Sequence, residues 1–225
     1  MNKTFFAKSK GKSAEVYIYQ EIGEGWFGGI SAQGFADTMK EIGDVEELEI
    51  YINSPGGSVF DGVAIYNQIK RHKARKRVYV DGLAASIASV IAMAGDEISM
   101  ASNAMMMIHD PWGMAVGTAD EMRKYAETLD QVKSTLIDTY VARSGSDRAK
   151  VEEWMGAETW MDAKTAMERG FCSAIVNDSP KASAAFPMLA KFKNTPDCLK
   201  AAGRDSHVLL AKMQQRVQRL GQPTA

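Results

Sequence analysis

Residues Asp81–Gly95 read DGLAASIASVIAMAG, and the fold of the chain turns on them. The run before them, Arg77-Val78-Tyr79-Val80, is β-branched and aromatic, and the small and apolar residues after Ala85 read as a buried helix. Ser86 therefore stands at a strand-to-helix turn. A hydroxyl there lies beside the first turn of a helix, where unpaired N–H groups and the positive dipole end stabilise a nearby oxyanion. Gly82, Ala84, Ala85 and Ala88 leave room for a substrate backbone. Taken alone, such a serine is the N-cap of a core helix. Its role depends on the rest of the chain.

Upstream, Ala14–Ile22 alternates as a strand, Gly23–Gly29 is a glycine-rich turn, and Ser31 caps a helix carrying Phe35, Met39 and Ile42 on one face. Leu48–Ile52 is a second strand, and it stops at Asn53-Ser54-Pro55-Gly56-Gly57. Val59–Ile69 is a helix ending in the basic run Lys70–Arg77, which reads as a solvated helix end rather than a phosphate site. Downstream, Glu97–Met100 and Ala104–Ile108 are strands, with Met105-Met106-Met107 filling core. The loop from His109 to Gly113 leads to one long helix over Thr118–Arg143, with Thr118 and Glu121 forming a capping box. At 1.5 Å per residue that helix is about 39 Å long, too long to cover a small core alone, so part of it is expected to pack on another subunit. Ala149–Met155 is a short helix, Glu158–Met161 an extended link, Asp162–Arg169 a capped helix, and Phe171–Val176 a last strand.

Strands alternating with helices imply an α/β layered fold. The expected organisation is a flexible N-terminal arm (1–13), a main domain (14–177), and a polar linker with an amphipathic C-terminal helix (178–225). In that tail Leu209, Met213, Val217 and Leu220 share one stripe of Val208–Leu220.

Composition narrows the function classes. The 225 residues are 45% hydrophobic and 24% charged with net charge −1, so no global field favours nucleic acid or an anionic membrane. No apolar run reaches the length of a transmembrane helix, and the N-terminus lacks the apolar region of a secretory signal. Cys172 and Cys198 have no metal-ligand spacing and no disulfide framework, so a cytoplasmic location and no cofactor or metal are expected.

The three histidines make the search for a base short. His72 lies in the basic run and His207 in the polar tail. His109 ends an apolar strand just before Asp110-Pro111, where Pro stops the ladder. Such a residue is a satisfied core histidine or, paired with a serine turn, the general base that activates a hydroxyl. Gly56-Gly57 is an ordinary turn or a place where backbone N–H groups face a cleft with no Cβ in the way.

Together the segments INSPGGSVFDGVAIYNQI, VYVDGLAASIASVIAMAGDEI, MMIHDPWG and ETWMDAKTAMERGF resemble the Clp-type serine peptidase family in order and spacing, over about residues 14–177. Within it the chain is most similar to the head-maturation (prohead) proteases of tailed phages and prophages, which pair an EIGEGWFGG-like opening with a DGLAASAAS-like nucleophile turn. The resemblance implies a Clp/crotonase-type spiral of repeated β-β-α units with a long protruding helix. It implies Ser86 as nucleophile, His109 as base, and Gly57 and Ile87 as N–H donors to the oxyanion. Glu158 falls at the family's acid position, in place of its usual Asp, with Asp162 as fallback and Asp110 expected to point away from the ring. Gly113-Met114 replaces the family's glycine pair, so substrate strand pairing or subunit packing at that loop is expected to differ.

The resemblance further implies a serine endopeptidase that forms a homo-oligomeric ring, stacked in pairs or single, and cleaves a scaffold or capsid protein in a host cytosol or prohead. The N-terminal arm does not resemble the axial loops of ATPase-partnered Clp peptidases, so no ATPase partner is expected. A housekeeping Clp peptidase with such a partner is one alternative, and a capsid-assembly subunit using residues 178–225 is another. Hydratases and isomerases acting on acyl-CoA share the fold, but they need no Ser–His pair. Ser–Lys peptidases need a lysine that the Ser86 motif lacks.

Overall fold

The computed structural model describes residues 6–24, 29–177, 187–197 and 199. Residues 1–182 and 183–225 form two compact units. In the first, strands β1 (Phe6–Lys10) and β2 (Ser13–Ile18) form a hairpin, followed by helix α1 (Ala32–Ile42), strand β3 (Glu47–Ser54), helix α2 (Val59–Arg71) and strand β4 (Arg75–Ala85). Helix α3 (Ile87–Ala92), strands β5 (Glu97–Ala101) and β6 (Met105–Ile108), and helices α4 (Ala119–Ser144) and α5 (Arg148–Gly156) come next. Strand β7 (Thr159–Asp162), helix α6 (Ala163–Glu168) and strand β8 (Ala174–Val176) complete it.

The sheet runs in the order β1-β2-β3-β4-β5-β8, parallel along this path apart from the β1–β2 edge, with β6 and β7 as an antiparallel pair off it. Strand β4 is its fork. Its first half, Arg77–Val80, pairs with β5, and its last residues, Leu83–Ala85, pair with β6. The fork is made possible by a register shift: Ile52 sits opposite Val80, but the next pair is Ser54 with Ala84. Asp81–Leu83 thus form a bulge that re-aims the strand end, and a bulge of this kind increases local twist. The Asp81 carboxylate in the bulge accepts a hydrogen bond from the Tyr19 hydroxyl.

Alternation sets the two faces of the sheet. Val16, Ile18, Leu48, Ile50, Ile52, Val78, Val80, Ile98 and Met100 are buried together with Phe35 of α1 and Ile65 and Ile69 of α2. On the other face Tyr17, Tyr51 and Tyr79 lie side by side in register, with ring centroids 4.8 and 5.0 Å apart.

Residues 6–10, expected within a flexible arm, instead form the edge strand β1. Gly11, at φ 64°, supplies the left-handed turn that brings them back against β2. The extended link expected at 158–161 is strand β7, antiparallel to β6. The last strand is shorter than expected, Ala174–Val176, and just before it the Ser173 hydroxyl accepts from the Ile98 N–H at 3.1 Å in place of a backbone carbonyl.

Helix α4 begins as its sequence requires. Thr118 Oγ1 accepts from the Glu121 N–H, and Glu121 Oε2 accepts from the Thr118 N–H at 2.7 Å. Buried residues of α4 are confined to Leu136, Ile137 and Tyr140, so its first three turns and more stand away from the core. Among the described residues no helix is long and apolar enough to cross a membrane.

The second unit contains a 3-10 turn at Pro187–Lys191, where the Thr195 hydroxyl donates to the Leu189 carbonyl at 2.7 Å. The amphipathic stripe of Val208–Leu220 lies outside the described residues, as does Gly25–Gly28 of the glycine-rich turn.

Candidate active site

Ser86 joins β4 to α3 with φ 55° and ψ −132°. For a non-glycine residue this is a sparsely populated conformation costing about 1–3 kcal/mol. Its N–H donates to the Met107 carbonyl at 2.9 Å, which anchors the turn to β6. The side chain makes no capping bond to α3, so the plain N-cap role does not apply. The hydroxyl instead lies 2.8 Å from His109 Nε2. In the tautomer with its proton on Nδ1, the imidazole accepts from that hydroxyl.

The topology explains the meeting. Leu83, Ala84 and Ala85 pair in parallel with Met105, Met106 and Met107. Ser86 follows directly on the last residue of β4 and His109 directly on the last residue of β6, so both leave the same end of these two parallel strands. Burial pushes the His109 imidazole below its ordinary range, while the negative charges of Glu158 and then Asp110 act in the opposite direction. Near neutral pH the ring is thus held largely uncharged.

The antiparallel β6–β7 ladder sets the carboxylates at different positions relative to His109. Ile108 is opposite Thr159, so continuing the ladder by one step sets His109 beside Glu158. Glu158 has φ 51°, its N–H donates to the Met155 carbonyl at 3.0 Å, and its Oε1 accepts from the Trp160 indole N–H at 3.3 Å. Asp162 is opposite Met105, four steps or about 13 Å along the ladder from His109. Its carboxylate caps α6 by accepting from the Thr165 N–H at 2.8 Å, a bond that lowers its pKa. The Asp110 carboxylate accepts from Lys133 Nζ of α4 at 3.1 Å.

The glycine pair sits against the serine turn. Gly56, at φ 90°, comes so close that a Cβ there would lie 2.7 Å from Ser86 Cβ and Ala85 O and 3.1 Å from the Ile87 N. Gly57, at φ 149°, abuts the Ile22 carbonyl, which a Cβ would meet at 2.1 Å. Gly62 of α2 likewise leaves space for the Ile87 side chain. Sequence reasoning named Gly57 and Ile87 but missed what holds them. The Ile22 N–H donates to the Gly56 carbonyl and the Ser58 N–H to the Ile22 carbonyl, both at 2.8 Å. It also missed Trp160, Ser89 and Tyr140. Ser89, three residues after Ser86 in one helical turn, is the only one of these with a local signal.

With this geometry in place, comparison with known proteins is decisive: the Clp protease family pattern matches residues 10–179. The chain belongs to the Clp protease family. Members of that family are serine peptidases, so this Clp protease chain is a peptide-bond hydrolase of the serine type. It is 36% identical over 135 residues to the ATP-dependent Clp protease proteolytic subunit 1 of Chlamydia muridarum, covering 58% of this chain and 70% of the relative. The subunit of the same name from Chlamydia trachomatis is 37% identical over 136 residues, with the same two coverages. Among solved structures, a ClpP1 mutant from Listeria monocytogenes superposes with a TM-score of 0.63 at 22% identity, over 73% of this chain and 91% of the other. That likeness supports the α/β fold with its mostly parallel sheet.

Proposed function

We propose that this Clp-type serine peptidase cleaves internal peptide bonds through an acyl-enzyme formed on Ser86. The observation that carries this reading is the 2.8 Å contact between Ser86 Oγ and His109 Nε2. Ser86 Oγ attacks the scissile carbonyl while His109 takes its proton on Nε2. The resulting oxyanion is held by the N–H groups of Gly57 and Ile87, two donors fixed before the reaction begins. Collapse breaks the C–N bond, and the amine leaves with the proton from His109. Water, activated by the same ring, then hydrolyses the ester and releases Ser86. Glu158 stabilises the imidazolium formed in each half-reaction and keeps the ring oriented, with the Trp160 indole fixing one of its oxygens.

Labelling with a fluorophosphonate, followed by mass spectrometry of the adduct, tests the assignment. Ser86 is expected to be modified and Ser86→Ala to be inert. An assembled, folded wild type that takes no label at Ser86 overturns it.

The finer role within the family is that of a head-maturation protease cleaving capsid or scaffold protein as a homo-oligomeric ring without an ATPase. Supporting it are the Glu21–Gly29 opening, the Ser86 turn and the polar extension after residue 177. The ATP-dependent naming of the Chlamydia relatives favours a second reading, a peptidase fed by an unfolding ATPase. Incubation with a capsid or scaffold protein in the absence of nucleotide separates the two. Cleavage there supports maturation, and turnover that appears only with an added unfoldase and ATP supports the second reading.

A further inference from the structure

Behind the nucleophile turn lies a buried hydrogen-bond chain that the proposed reaction does not use. The Ser89 hydroxyl on α3 is 2.6 Å from the Ser86 carbonyl oxygen, and the Tyr140 hydroxyl on α4 is 2.7 Å from Ser89 Oγ. Ser89 and Tyr140 are both buried. A serine hydroxyl has one proton, and that of Ser89 is committed to the Ser86 carbonyl, so Tyr140 donates to Ser89. Burial holds the Tyr140 phenol well above its ordinary range, so this donor keeps its proton at working pH. The Ser89 N–H also donates to the Ser86 carbonyl, at 3.0 Å. That carbonyl therefore carries two donors from one residue.

The carbonyl of Ser86 and the N–H of Ile87 belong to a single planar peptide group and point in opposite directions. Fixing one aims the other. At φ 55° and ψ −132°, Ser86 has no intrinsic preference that would hold this plane, so the surroundings must supply the restraint. We propose that Ser89 and Tyr140 are positioning residues, which lock the Ser86–Ile87 peptide so that the Ile87 N–H faces the developing oxyanion, and which tie that donor to helix α4. The inference rests on the reading of Ser86 as nucleophile. It adds a reason for a hydroxyl at position 140, because the ring alone already packs against Phe171 with centroids 5.7 Å apart.

The experiment compares full-length wild type with Ser89→Ala, Tyr140→Phe and the double variant. The readouts are kcat and KM on a peptide substrate, the rate of fluorophosphonate labelling at Ser86, and the melting temperature. Each single variant is expected to lose about ten- to a hundredfold in kcat and labelling rate, with KM held within about twofold. The double variant is expected to be no worse than Ser89→Ala, because Tyr140 acts through Ser89. A purely structural role would lower the melting temperature and leave kcat per folded site unchanged, and that result overturns the proposal. Should Tyr140→Phe fail to fold, Ser89→Ala alone decides, since it removes the direct contact. Wild type without a Ser86 adduct overturns the nucleophile reading and this one together. Wild type and variants labelled at equal rates overturn this one alone.

Discussion

At His109 the chemistry and the pH dependence are one question. A histidine whose pKa is depressed by burial is neutral, and able to accept a proton, across a wider range than a free one. The ascending limb of kcat/KM against pH is therefore expected to have its midpoint below the ordinary value of 6.5. The sign for stability follows from the same shift. The unfolded chain binds this proton more readily, so the contribution is present above 6.5 and is lost as pH falls through the folded-state pKa. Glu158→Gln removes the largest charge acting to raise the histidine pKa. The limb is expected to move to lower pH still, and kcat to fall by up to about ten-thousandfold, the order seen when a triad acid is neutralised. Asp162→Asn is the contrasting variant. It is expected to keep the profile and to cost about 1 kcal/mol or less at the α6 cap. A pH profile that moves with Asp162 and not with Glu158 would reverse the assignment. Ser86 and His109 were legible because each residue type is chemically distinctive where it stands. Ile22, Tyr140 and Trp160 were not, because each acts through a contact made only after distant segments fold together.

Among the elements, the Gly56-Gly57 turn and the end of β4 are fitted to one another. Gly56→Ala asks an L-residue to adopt a left-handed backbone and places its Cβ 2.7 Å from both Ser86 Cβ and Ala85 O. The obstructing atoms belong to backbone and to the nucleophile itself, so neither yields without moving the site. A displacement near 1 Å at a reacting centre is enough for about a hundredfold loss in rate. Gly56→Ala is expected to lose at least that in kcat, as measured by single-turnover acylation. Near-wild-type acylation would show that the turn is slack. The strands and helices flanking this turn were readable from periodicity and caps, with Ser31 and Thr118 marking helix starts. The two-residue register jump between Ile52–Ser54 and Val80–Ala84 was not, because alternation in either strand is equally consistent with a continuous ladder. Strand β1 was missed for a related reason: short, polar, lysine-bearing edges carry little hydrophobic signal.

For the molecule as a whole, the feature that calls for a partner is α4. Its first half is exposed, and the loop before it presents Trp112, Met114 and Val116 to solvent, with Met122 following on the helix. Apolar side chains gathered this way on one projecting element are expected to be covered in an assembly. Light scattering is expected to give a homo-oligomer, and Met114→Glu with Val116→Glu to shift it toward smaller species and reduce turnover. A stable monomer with full turnover would remove the case for a ring. The helix length pointed to this from the sequence, whereas the stoichiometry depends on surfaces that no periodicity encodes.

The forked strand has a consequence for how this enzyme wears out. The imidazole rides on a branch attached to the main sheet by three residue pairs, Leu83–Met105, Ala84–Met106 and Ala85–Met107, and otherwise steadied by β7. Slippage by a single rung, about 3.3 Å, exceeds the 2.8 Å that joins ring to hydroxyl, while the β2–β3–β4–β5 ladders stay whole. On heating, activity is therefore expected to fall before the far-ultraviolet circular dichroism does, and coincident loss of the two would show that the branch holds as firmly as the main sheet.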